Sequence, residues 1–181
     1  LPPDDKIMAY IDIHDLEDEA FINEHYLVFC TKKGTIKKTT VEAFSRPRAN
    51  GIVAINIAEG DELLAVRLTN GNCEVMMAVK SGRAIRFPEE KVRPMGRTAT
   101  GVIGIELADD QDEVVGMITV EKGDKEKTVL VVSENGYGKR SQLVDQETGE
   151  QEYRITNRGG KGVSTIKITP KTGALITIRD V

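Results

Sequence analysis

An all-β fold, built as a propeller-like array of four-stranded blades, is what this sequence predicts on three observations. Almost every apolar segment is short, rich in Val and Ile, and bounded by Gly, Asn, Asp or Pro, which is the strand signature. A three-part pattern recurs about every 50 residues, the spacing of a propeller blade. Helical character is confined to residues 16–24 and to a single turn over residues 40–45. Units of this kind cannot bury their faces alone and stack on their neighbours.

The first part of the pattern is an apolar strand, a glycine turn and a pair of bases, read as a β-hairpin. It occurs as Tyr26-Leu27-Val28-Phe29 running into Thr31-Lys32-Lys33-Gly34-Thr35-Ile36-Lys37-Lys38. It recurs over residues 76–87, around Lys80-Ser81-Gly82-Arg83-Ala84-Ile85-Arg86, and over residues 129–141, around Asn135-Gly136-Tyr137-Gly138-Lys139-Arg140. The second part is an arginine, a turn of small residues, a glycine and an alternating apolar strand. Its copies are Arg48-Ala49-Asn50-Gly51-Ile52-Val53-Ala54-Ile55, Arg97-Thr98-Ala99-Thr100-Gly101-Val102-Ile103-Gly104-Ile105 and Arg158-Gly159-Gly160-Lys161-Gly162-Val163-Ser164-Thr165-Ile166. The third part is an acidic or glycine turn opening one more apolar strand, at residues 61–68, 112–120 and 172–178.

The opening residues match only this third part, through Asp4-Asp5-Lys6-Ile7-Met8-Ala9-Tyr10-Ile11. Residues 1–20 therefore read as the end of a preceding blade and a connector. Blades follow at 21–69, 70–120 and 121–181, in a single repeat domain. With no initiator Met, the chain reads as a fragment of a longer one. The third unit is the longest between its first two parts, and Asp145-Gln146-Glu147-Thr148-Gly149-Glu150-Gln151 reads as an extended, mobile loop.

Hydrophobic residues make up 39% and charged ones 30%, so the chain is too apolar to be disordered, and without Trp its core is aliphatic. No apolar stretch approaches the ~20 residues of a membrane span, and the N-terminus does not read as a signal peptide. Cys30 and Cys73, embedded in apolar strand patterns, are expected to be buried and reduced, which suits the cytoplasm. The net charge of -4 argues against indiscriminate nucleic-acid binding, but its distribution does not. Residues 31–48 carry six bases against one acid, residues 80–97 six against two, and residues 139–161 five against four. Charge in register with a repeat predicts one basic edge and one acidic edge.

Catalytic chemistry is not expected. His14 and His25 lack Cys or carboxylate partners at metal-ligand spacing, and Ser133, Ser141 and Ser164 lack a nearby base. Asp12, Asp15 and Asp18 lie close together without a calcium-loop glycine in register. No Walker loop or dinucleotide fingerprint is present. Basic hairpins on a curved rim, by contrast, can meet successive phosphates in a salt-dependent, sequence-blind manner. The glycines around Arg158 and Lys161 allow close approach of the main chain to a phosphate.

Three stretches, Glu134-Asn135-Gly136-Tyr137-Gly138-Lys139-Arg140, Arg158-Gly159-Gly160-Lys161-Gly162-Val163 and Gly60-Asp61-Glu62-Leu63, resemble the C-terminal domain of the bacterial DNA gyrase A subunit, which belongs to the type IIA DNA topoisomerases. The resemblance covers essentially the whole chain. It implies a β-pinwheel, a propeller-like disc whose blades exchange strands, of which this chain would be a partial disc of about three blades plus the tail of a preceding one. The loop Arg158, Gly159, Gly160, Lys161 and Gly162 is similar to the family's gyrase A-box.

The resemblance further implies a non-catalytic module that wraps duplex DNA around a basic rim, so that the holoenzyme introduces negative supercoils with ATP and magnesium bound on other regions. None of Tyr10, Tyr26, Tyr137 or Tyr153 would be the catalytic tyrosine. The partners implied are double-stranded DNA and, in a heterotetramer, the gyrase B subunit with the rest of the gyrase A subunit. The place implied is the cytoplasm, away from the membrane. Expected DNA contacts are Lys32, Lys33, Lys37, Lys38, Arg46, Arg48, Arg83, Arg86, Arg93, Arg97, Lys139, Arg140, Arg154, Arg158 and Lys161. The alternatives are the C-terminal domain of the topoisomerase IV C subunit, or a propeller-like protein-interaction scaffold with a basic rim.

Overall fold

The computed structural model describes residues 3–13 and 15–181; His14 lies outside them. Helix formation is limited to α1 (Glu19–Glu24), where the Asp18 carboxylate caps the N–H groups of Ala20 and Phe21 at 3.0 and 3.1 Å. Asp15 caps the preceding turn by accepting from Glu17 N–H, so two of the three clustered aspartates have local structural duties. His25 stacks on Phe21 just beyond the helix.

The first unit forms a hairpin of β1 (Tyr26–Thr31) and β2 (Thr35–Thr40), a 3-10 turn (Val41–Phe44) and β3 (Leu63–Thr69). The second repeats this with β4 (Cys73–Val79), β5 (Arg83–Pro88), a 3-10 turn (Glu89–Lys91), β6 (Val102–Ile103) and β7 (Val114–Glu121). The third contains β8 (Thr128–Ser133), β9 (Gly138–Gln142), β10 (Val163–Ser164) and β11 (Leu175–Asp180). Three antiparallel sheets result, in the orders β3-β1-β2-β6, β10-β5-β4-β7 and β11-β8-β9.

Each complete sheet thus takes its outermost strand from the following unit. Strand β6 pairs with β2 through Thr35 and Ile36, and β10 pairs with β5 through Arg83 and Ala84. The hairpin glycine is where the exchange is anchored. Gly34 and Gly82 both adopt φ +87°, and their carbonyls accept from Gly104 N–H (2.8 Å) and Thr165 N–H (2.9 Å) of the next unit. A Cβ on Gly82 would lie 2.4 Å from the Ile166 carbonyl oxygen.

Two stretches depart from the expected strands, and the exchange bears on one of them. Residues 52–55 and 4–11 have strand-like sequences but form no ladder. By analogy with β6 and β10, residues 52–53 would join a hairpin preceding β1, and none lies among the described residues. A third departure is the segment at 145–151, expected to be extended. It closes as a tight turn in which Asp145 N–H donates to Glu150 O (2.8 Å) and the Asp145 carboxylate accepts from Glu147 and Thr148.

The sheets stack face to face. Val28, Cys30 and Ile36 of the first pack on Val75, Met77, Ile85 and Phe87 of the second. From the second sheet's opposite face, Met76, Ala78 and Ile118 pack on Val129, Val131, Leu175 and Ile178. Strand β4 is therefore buried at all seven positions, covered on both faces. Cys30 and Cys73 are buried free thiols, and burial pushes both thiols upward from the ordinary range. No helix among the described residues is long and apolar enough to cross a membrane.

Candidate nucleic-acid interface

Strands β3, β7 and β11 pack side by side where the three sheets converge. The loops led by arginine lie at the opposite, outer edge, and hydrogen bonds stitch each loop to the one before. Arg97 Nη1 donates to Val53 O at 3.1 Å. One unit later, Arg158 Nη1 donates to Ile103 O at 2.9 Å and its Nε to Lys91 O at 3.0 Å. Asn56 N–H donates to Ala99 O, Glu106 N–H to Gly160 O, and Gly159 N–H to Gly104 O. The leading arginine in units two and three is thus half-buried and holds the corresponding segment of the preceding unit.

The same stitching presents Arg46, Arg48, Arg93, Arg154 and Lys161 as exposed bases on successive loops. Lys161 lies 3.6 Å from Glu106, while the four arginines have no carboxylate within 4.0 Å among the described residues. Lys91, overlooked in the sequence, is a further exposed base, placed by the 3-10 turn that follows β5. Its signal was the base closing that turn.

Three of the expected DNA contacts are corrected. Lys37, Lys38 and Arg86 are 0%, 4% and 3% exposed. Neighbouring sheets cover both faces of β5, while the second sheet and residues 9–13, 16–22 and 54–55 cover the two faces of β2. An exchanged strand lies along the edge of each. Lys38 Nζ donates to Glu89 O at 3.0 Å, lies 3.7 Å from the Glu89 carboxylate and sits 4.8 Å over the Tyr26 ring. Arg86 forms a buried ion pair with Glu74. Lys37 donates from its ammonium to Ala54 O at 2.6 Å and to Arg97 O. None of the three can reach a phosphate outside the fold.

Burial, aided by Arg97, pushes the Lys37 ammonium down from 10.5 to about 8. The unfolded chain then holds more protons than the native one between about pH 8 and pH 10.5, so this group's contribution to stability rises with pH there. Wild-type protein is expected to gain stability over Lys37→Met from pH 8 to pH 10, checked by paired urea melts. A pH-independent difference would remove Lys37 as the titrating group.

Other predicted bases are partly engaged. Lys32 pairs with Glu62, a hydrogen bond that raises the lysine and lowers the carboxylate, and Lys139 pairs with Glu152. Lys33 is exposed, but its N–H donates to Asp61, and the first two hairpin tips share a cavity with Glu62, Asp110 and Glu113. The tips carry mixed charge rather than forming a basic edge. Arg140 is exposed and donates to Thr128 Oγ1 at 2.7 Å. Arg83 cradles the box-like loop, its Nε donating to Lys161 O (3.0 Å) and its Nη2 to Gly162 O (2.6 Å).

The glycines of that loop also serve the fold. Gly162 has φ +71°, and a Cβ there would lie 2.2 Å from Ala84 O, so only glycine lets β10 reach β5. The Gly159 N–H, expected to be open to phosphate, is taken by Gly104 O.

The profile of the family described as "DNA gyrase C-terminal domain, beta-propeller" matches residues 25–70, 74–121 and 127–181, one stretch per unit. The chain belongs to the DNA gyrase C-terminal domain family. It is 46% identical over 181 residues to the DNA gyrase A subunit of Staphylococcus epidermidis and 45% identical to that of Staphylococcus aureus. The match takes in all of this chain but 19% of each relative, so the chain spans about a fifth of their length.

A solved DNA gyrase A C-terminal domain superposes on all of the chain with a TM-score of 0.77 at 25% identity, over 55% of its own length. The C-terminal domain of DNA topoisomerase IV superposes at 0.82 and 23% identity, over 52% of its length, and shows the shared fold. Between the readings left open by the sequence, the curated relatives favour gyrase. Together with the exchanged strands, the family match identifies the fold as a β-pinwheel.

Proposed function

We propose that this gyrase C-terminal domain binds duplex DNA along its outer loops and bends it around the arc, so that the assembled enzyme can introduce negative supercoils. The observation that carries this reading is the stitched row of arginine-led loops, which places exposed bases on three consecutive units. A rigid row of this kind supplies phosphate contacts at fixed spacing without reading bases. Bending 20–30 base pairs costs on the order of 1–6 kcal/mol, which several such contacts offset. The domain does no bond chemistry in this reading. ATP and magnesium act on other regions of a cytoplasmic heterotetramer with the gyrase B subunit, and the DNA gate lies in the rest of the gyrase A subunit.

The test is duplex affinity as a function of salt, with bending followed by energy transfer between labelled DNA ends. Charge reversal of Arg93, Arg154 and Lys161 is expected to weaken binding of all sequences alike, and to lower the salt slope by about 0.9 for each phosphate no longer neutralised. Unchanged affinity and slope would sink the wrapping reading. Equal retention on heparin, with no DNA bend, would favour the interaction scaffold instead.

A further inference from the structure

A cavity of about 430 Å3 on the outer edge is lined by Arg46, Arg48 and Arg97, together with Glu42 and Ser45. Its arginines come from two successive units, brought together because Arg97 is anchored to Val53 O. Behind them, the buried Lys37 ammonium donates to the Arg97 carbonyl. Glu42 lines the same space, yet none of the three guanidinium groups has a carboxylate within 4.0 Å among the described residues. Three permanently charged, forked donors line one space without a counter-charge in contact, a donor set whose charge and hydrogen-bonding capacity suit an oxyanion.

We infer that this cavity is a discrete phosphate site, in which Arg46, Arg48 and Arg97 together grip one phosphate group. The inference rests on the duplex-binding reading for one source of that phosphate, the DNA backbone; free inorganic phosphate offers the same chemistry. Glu42 weakens the site by like-charge repulsion, so Glu42→Gln tightens phosphate about two- to fivefold, the size of one exposed charge contact.

The site is tested by titrating the full chain with inorganic phosphate at constant ionic strength and following the arginine Nε–H resonances. Saturable shifts are expected at Arg46, Arg48 and Arg97, and not at Arg93 or Arg154. The double variant Arg46→Gln, Arg48→Gln, both at exposed positions, is expected to lose the saturation and keep the wild-type melting curve. In a duplex arm, the same variant is expected to lower the salt slope by about 0.9, and inorganic phosphate at fixed ionic strength to compete only with the wild type.

Saturation without any change in slope supports the site and assigns free phosphate as its ligand. Shifts that grow linearly and equally at every exposed arginine overturn it, since they report screening. An unchanged slope with no saturable shift also overturns it, while duplex binding by the wild type leaves the broader reading intact.

Discussion

Replacing Glu74 by leucine is expected to destabilise the fold by about 3–5 kcal/mol, the cost of leaving one member of a buried ion pair uncompensated. Arg86 Nε and Nη2 bond the Glu74 carboxylate at 2.7 and 2.5 Å, and both side chains are almost entirely out of solvent. The remaining Nη1 lies 3.5 Å from Leu143 O and 3.3 Å from Tyr153 O, so the guanidinium also spans the gap to the third unit. The change therefore exposes two weaknesses at once, a stranded charge and a loosened blade interface. Urea unfolding of the single variants and of Glu74→Leu with Arg86→Met separates them. The double variant should recover most of the loss, because an apolar pair of similar volume satisfies the site. If Glu74→Leu alone left the midpoint unchanged, the pair would not be a structural clamp.

That clamp marks the limit of what the sequence could disclose. Lys38, Arg86 and Arg140 occupy the same place in the three hairpins, and in the sequence they are indistinguishable exposed bases. In the fold, Lys38 and Arg86 each point to the next unit's main chain, at Glu89 O and Leu143 O, and only Arg140 is open to solvent. Alternation along β2 would bury one of the adjacent Lys37 and Lys38 and expose the other. Both are buried because the second sheet, encoded some 50 residues away, covers one face, while residues 9–13, 16–22 and 54–55 cover the other.

Local chemistry, by contrast, was legible. The turn glycines Gly34, Gly82 and Gly136 all take positive φ, and each falls between strands where the hairpin reading placed it. The recurrent Arg97 and Arg158 were recognisable as a pattern, though their duty as clasps between loops depends on the strand exchange. That exchange is not written in any single unit. It also decides why residues 52–53 lie without a sheet while the matching residues 102–103 lie within one.

Alanine at Gly162 should show how tightly the box-like loop is tied to the exchange. Two costs add there: an L-residue at φ +71°, about 1–3 kcal/mol, and a methyl 2.2 Å from Ala84 O, which forces β10 away from β5 for about another 1–3 kcal/mol. Moving β10 also withdraws the carbonyls of Lys161 and Gly162 from Arg83, so the loop loses its cradle together with its strand. Gly123→Ala isolates the first cost, because Gly123 has φ +83° and nothing lies within 4 Å of where its methyl would sit. Denaturant melts should therefore rank wild type above Gly123→Ala, and Gly123→Ala above Gly162→Ala. Duplex affinity should fall only in the last, since it alone displaces Arg158 and Lys161. Equal losses in the two variants would mean that β10 tolerates the methyl by sliding, and that the loop's position owes nothing to the close approach at Ala84.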